Sequence, residues 1–249
     1  MAIEIREVYA DNLEEEFNSI REIIDNYPLI GLDTEFPGIP FPAEEATKYK
    51  KLKINVDSTK LIQVGLTLSD DKGDLPPHGR IWQFNFCEFN PAKDLSAQVS
   101  IQLLSDSGID FAHNMEKGVD AVRFGDLLMS SGVAGNGNVS LITFQGGYDL
   151  GYLLKILSGK SLPGSVEGFL RLLKVYFPVS YDVKHLMKCT GVLHGGLTGL
   201  ADTLGLERVG VAHQAGSDSR LTSAAFVKIR DIYFDGEVEK HCGVVHGLE

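Results

Sequence analysis

Asp33-Thr34-Glu35 closes a short apolar run, Leu29-Ile30-Gly31-Leu32, and sets two carboxylates two positions apart. Side chains alternate across a strand, so Asp33 and Glu35 point to one face at the edge of an apolar layer. Two anions held this close repel, and one takes up a proton unless a divalent cation offsets the repulsion. A second acid, Asp149, stands in Gly146-Gly147-Tyr148-Asp149-Leu150-Gly151-Tyr152, where the paired glycines allow a tight turn ahead of a helix. A third, Asp218, opens a helical pattern and follows His213 by five residues in His213-Gln214-Ala215-Gly216-Ser217-Asp218-Ser219. Taken singly, Asp149 and Asp218 read equally as acids that cap helix starts, and Asp-x-Glu as a solvated strand-to-turn junction. Taken together they make an all-oxygen donor set suited to hard divalent cations acting on a phosphodiester, with a histidine placed to move a proton.

The surrounding elements must bring these residues together. Residues 11–26 carry Leu13, Phe17, Ile20 and Ile23 at helical spacing, and 29–33 reads as a buried strand. Residues 44–57, polar and lysine-rich, read as a surface excursion. Segments 61–68 and 80–86 are β-rich and joined by an Asp/Gly/Pro-rich turn, which predicts a hairpin and, with the first strand, a meander. Helical patterns follow at 96–105 and 118–130, then a strand at 141–144 and a helix from Asp149 to Leu157. The remaining pattern is a helix at 166–176, a strand at 179–183, and helices at 196–204 and 218–234; in the last, Leu221, Ala225, Ile229 and Ile232 form a core-facing stripe. A meander followed by strand–helix alternation predicts a three-layer α/β domain with a mixed sheet of five to six strands, spanning residues 1–249 as one domain.

Net charge is −11 over 249 residues, which disfavours a protein that grips nucleic acid by diffuse positive charge but leaves open one that meets a phosphodiester through bound cations. Cys87, Cys189 and Cys242 lie far apart with no Cys-x-x-Cys pair, so a structural zinc site or a disulfide framework is not expected. No apolar run approaches a bilayer-spanning length, and residues 1–9 alternate apolar and charged side chains without a hydrophobic signal core. A cytoplasmic and nuclear location, with no membrane partner, is the expectation.

The order and spacing of Asp33, Glu35, Asp149, His213 and Asp218 resemble the histidine variety of the DEDD exonucleases. More narrowly, Asp33-Thr34-Glu35-Phe36-Pro37-Gly38, Leu61-Ile62-Gln63-Val64-Gly65-Leu66-Thr67, Ile81-Trp82-Gln83-Phe84-Asn85-Phe86, Tyr181-Asp182-Val183-Lys184 and the two later acid motifs resemble the carbon-catabolite-repressor-associated factor (Pop-type) poly(A) deadenylases. That resemblance implies an RNase-H-like fold and a 3′→5′ exoribonuclease that releases 5′-AMP from poly(A) RNA with two divalent cations, Mg2+ or alternatively Mn2+. It aligns Asp33, Glu35, Asp149 and Asp218 with the metal ligands and His213 with the general base. It also implies membership of an mRNA deadenylase complex with a Not-type scaffold subunit and a leucine-rich-repeat nuclease subunit. Gln145-Gly146 departs from the family's usual His-Ser. Phe36 reads either as a stacking surface for the terminal nucleotide or as a core side chain, Asp182 as a turn or cap, Trp82 as core, and the lysines from Lys48 to Lys60 as a solvated face. Two alternatives remain beside the deadenylase: a DEDD exonuclease of other specificity, and a catalytically silent scaffold.

Overall fold

The computed structural model describes residues 3–42 and 46–248. A six-stranded sheet in the order β1-β4-β3-β2-β5-β6 runs through the molecule: β1 (Glu4–Val8), β2 (Leu29–Glu35), β3 (Gln63–Ser69), β4 (Arg80–Asn85), β5 (Ser140–Thr143) and β6 (Val179–Asp182). β2, β3 and β4 form the antiparallel meander, while β5 and β6 continue the sheet in parallel beyond β2. The sequence pattern did not separate β1 as a strand; it lies parallel to β4 at the sheet's edge. Met1 and Ala2 of the alternating N-terminus lie outside the described residues.

Parity along β2 divides the core. Ile30 and Leu32 face a large cluster built with α1 (Leu13–Ile23), α2 (Lys48–Ser58), α5 (Ala121–Ser130), α6 (Gly147–Ser158) and α7 (Val166–Tyr176). Leu29 faces a second cluster with α8 (Val183–Thr190), α9 (Leu197–Leu204) and α10 (Ala215–Tyr233). Helices on both faces of a mixed sheet make the three-layer arrangement that the pattern predicted, and the RNase-H-like fold that the family resemblance implied. Among the described residues the remaining α-helices are α3 (Gln98–Asp106) and α4 (Phe111–Lys117), and α4 and α8 are short elements that periodicity did not resolve.

The segment read as a surface excursion is corrected: Ala43–Glu45 lie outside the described residues, but Lys48–Ser58 is a helix. Thr47 caps it by accepting from the Lys50 backbone N–H, and Tyr49, Leu52 and Val56 recur on one buried face between the lysines. In α10, Leu221, Ala225 and Ile229 are buried as expected, but Ile232 is 59% exposed because the helix runs past the sheet. Trp82 is buried and donates its indole N–H to Glu16 at 2.9 Å.

Candidate active site

Gly31 and Gly65 decide how closely α10 approaches the sheet. A Cβ at Gly31 would stand 2.4 Å from the Ser219 carbonyl oxygen, and one at Gly65, the strand partner of Asp33, 1.9 Å from that of Ala215. Glycine in a strand interior permits such contact between backbones. The first turns of α10 therefore rest on the strands, and Asp218 arrives on the face that carries Asp33 and Glu35. Ligand atoms of Glu35, His213 and Asp218 lie within 4.8 Å of one another.

Asp149 comes from the opposite layer. It lies in the first turn of α6, whose N-cap is Gly146, so it is not the capping residue itself. Its Oδ1 accepts a 2.7 Å hydrogen bond from the Thr34 hydroxyl. Thr34 has the opposite parity to the two strand acids, so it joins the far helical layer to the end of β2. The product is an open cleft of about 520 Å³ bordered by Asp33, Glu35, Arg208, His213 and Asp218.

The cleft crowds its acids. Burial first, then Asp149, Glu35 and Asp218, push the Asp33 carboxyl well above the usual carboxylate range, against the pull of Arg208. Burial, with Asp218 and Asp149, raises Glu35 to about 8. Burial raises Asp149 to about 6 although the Thr34 hydrogen bond opposes it. Oxygen donors with this much uncompensated charge fit hard divalent cations, which remove the repulsion that otherwise holds protons on these acids.

His213 adopts φ 62°, a left-handed conformation that a non-glycine residue keeps only when its surroundings fix it. Here its backbone N–H donates to Asp218 Oδ2 at 3.0 Å, which leaves the exposed imidazole at the cleft's mouth. Asp33, Glu35, His213 and Asp218 thus share the cleft, and Asp149 adjoins them through Thr34 and its repulsion of Asp33 and Glu35.

Arg208 was not legible. It pairs with Asp218 Oδ1, donates to Ser217 Oγ at 2.9 Å and reaches Thr198 Oγ1 at 3.3 Å. Nothing in Leu206-Glu207-Arg208-Val209 marks it, because a lone arginine in a loop carries no spacing signal. Asp182 does serve as a cap, and does more. Its carboxylate accepts from Lys184 and His185 at the start of α8, from Gln145 and Gly146 at 2.9 and 3.1 Å, and from His246 at 3.0 Å. It therefore fixes the turn before Asp149, where Gln145 sits at φ 57°. Phe36 is half-buried, stacked on Tyr148 at 5.2 Å between ring centroids and packed against Tyr152; it is not among the residues that line the cleft. Among the lysines, Lys53 bonds Asp57 and Lys60 bonds Asp94, while Lys48 and Lys51 border a separate hollow beside Tyr148 and Gln145.

The CAF1 family ribonuclease model matches residues 8–123. Probable CCR4-associated factor 1 homolog 7 of Arabidopsis thaliana is 52% identical over 99% of this chain and 94% of its own length. Poly(A) ribonuclease pop2 of Schizosaccharomyces pombe is 44% identical over 94% of this chain and 72% of its own. The structure of S. pombe Pop2p with Mg2+ and Mn2+ bound superposes with a TM-score of 0.92 at 42% identity, covering 98% and 99% of the two chains. Yeast CAF1, co-crystallised with the NOT1 MIF4G domain, gives 0.83 at 33% identity over 98% and 96%. Sequence identity of this extent, over a shared fold, shows that the chain belongs to the CAF1 family of ribonucleases.

Proposed function

We propose that the chain is the catalytic subunit of an mRNA deadenylase, a divalent-metal-dependent 3′→5′ exoribonuclease that shortens poly(A) tails and releases 5′-AMP. The observation that carries this reading is the meeting of Asp33, Glu35 and Asp218 on one open cleft, with Asp149 tied to the end of β2 through Thr34 and close enough to raise the Asp33 and Glu35 carboxyls. Asp33, Glu35 and Asp149 would hold two divalent cations, Mg2+ or Mn2+, with Asp218 contributing from the facing wall. Bound there, the cations supply charge neutralisation for the attacking and leaving oxygens of the phosphodiester.

The chain's own groups supply the rest. His213 accepts the proton of the attacking water at an imidazole nitrogen, from an exposed position tied to Asp218 through its backbone. Arg208 brings a fixed positive charge to the wall that carries Asp218, so that acid is held in place. Thr34 ties Asp149 to the end of the strand that carries Asp33 and Glu35. The intact acid set argues against a silent scaffold. The match to a yeast relative crystallised with the NOT1 MIF4G domain supports a Not-type scaffold as partner. A leucine-rich-repeat nuclease subunit follows from the same family reading, and a place of action in cytoplasm and nucleus is proposed beside it.

The test is incubation of the pure chain with a 5′-labelled RNA ending in adenosines, with and without Mg2+, beside oligo(U) and oligo(dA). Stepwise shortening of the adenosine tail only with the cation is expected. An RNA left intact under every cation would overturn the nuclease reading, and equal trimming of all three substrates would overturn the poly(A) assignment.

A further inference from the structure

A second group of metal-type donors lies on different elements. His185 and Cys189 stand one turn apart on α8, so they share a helix face. His241 ends the short 3-10 turn Glu239–His241 near the C-terminus. That turn is held to β6 by the Gly243 N–H, which donates to the Ser180 carbonyl at 2.8 Å, and to the end of α10 by the edge-on packing of the His241 ring against Phe234. His185 Nε2 and His241 Nδ1 are 3.1 Å apart, and Cys189 Sγ lies 3.6 Å from the first and 3.9 Å from the second.

These separations match the edges of a coordination tetrahedron. Zinc bonds of about 2.0–2.1 Å to nitrogen and about 2.3 Å to sulfur imply an N···N edge of about 3.3 Å and N···S edges of about 3.6 Å. The donors are borderline to soft, unlike the oxygen set of the cleft. Cys189 is exposed and outside any disulfide, so it is open to an entering ion. We propose that His185, Cys189 and His241 form a second metal centre that takes Zn2+ through two imidazole nitrogens and a thiolate. On binding, the Cys189 thiol releases its proton to solvent and the sulfur donates its electron pair to the ion.

Such an ion would join α8 to the C-terminal turn. The same two segments already meet at Asp182, which caps α8 and accepts from the His246 N–H while holding the Gln145–Gly146 turn. The centre would therefore brace the segment that supports Asp149 from behind.

The test uses the full chain stripped of metal, with excess Mg2+ to occupy the carboxylate cleft and Co2+ as the optical probe. One equivalent of Co2+ is expected to give a thiolate-to-metal absorption in the near ultraviolet and tetrahedral bands in the visible, both displaced by Zn2+. Cys189→Ser and His241→Gln should lose these bands and weaken Zn2+ binding by more than the roughly 10–100-fold that loss of an outer-shell partner causes. Cys242→Ser and Asp33→Ala should keep them. Zn2+ should raise the melting temperature of the unaltered chain and leave that of Cys189→Ser unmoved, while the two metal-free proteins melt alike. Absence of a thiolate band, or its persistence in Cys189→Ser, would reduce the cluster to an imidazole–imidazole hydrogen bond with a bystander thiol and overturn the proposal.

Discussion

The two walls of the cleft treat their charge differently. On the wall formed by the end of β2 and the start of α6, Asp33, Glu35 and Asp149 repel one another, and burial pushes all three carboxyls upward. On the wall formed by the 205–214 loop and α10, Asp218 is already paired with Arg208 and accepts from the His213 backbone. A cation would therefore gain most from the first wall, whose charge the protein leaves unanswered. The second wall is held ready by contacts that need no metal. On the proposed function, binding and proton transfer would be divided between the sides, with the acids gathering the ions and the loop presenting His213.

The largest effect expected from this division is that of Asp33→Ala. Tail shortening should fall by at least the ~10²–10³-fold that loss of one electrostatic stabiliser causes, while metal-free melting stays level or rises because a repelling acid is gone. A variant that trims labelled oligo(A) at the original rate would remove Asp33 from the site. His213→Ala should lower kcat by about 10²-fold or more, the contribution of a general base, and flatten the limb of the pH–rate profile that reports the imidazole. It should leave cation affinity, read by isothermal titration, close to that of the unaltered chain. Equal loss of cation affinity in both variants would erase the distinction between the walls.

The same contrast explains what could be read from the sequence. The strand pair Asp33/Glu35 and the acids opening α6 and α10 sit in regular elements, whose periods of 2 and 3.6 residues give position away. Residues 44–57 were misread because lysines between Tyr49, Leu52 and Val56 hide a helix with one buried face. Arg208 and the Asp182 contacts act through loops that come together only in the folded chain, and the trio His185, Cys189 and His241 joins residues 56 positions apart. Gly65 is an intermediate case: a glycine within a strand signals a close approach without naming the partner. Gly65→Ala should push the start of α10 outward, cost about 1–3 kcal/mol by overpacking in urea denaturation, and reduce activity by shifting Asp218. Unchanged stability would mean that α10 is not seated by this contact.

The smallest effect, and the most direct measure of the unanswered wall, is the pH dependence of stability without metal. Glu35 holds its proton up to about 8 and Asp149 up to about 6 in the folded chain, whereas the unfolded chain releases both near 4. Between those limits the folded state binds more protons than the unfolded state, so unfolding free energy falls as pH rises. The stabilisation from these protonated acids is complete below about pH 4 and is lost as pH passes through about 6 and then about 8. Calorimetry across that window should show the metal-free chain melting at progressively lower temperature from these two groups. Saturating Mg2+ should reverse the decline, since the cations take the place of the protons and bind most tightly where the acids are ionised. Asp33→Ala should weaken both the decline and its reversal by removing one source of repulsion. A slope that Mg2+ leaves untouched would mean that the unanswered charge on the β2–α6 wall is not what the cations bind.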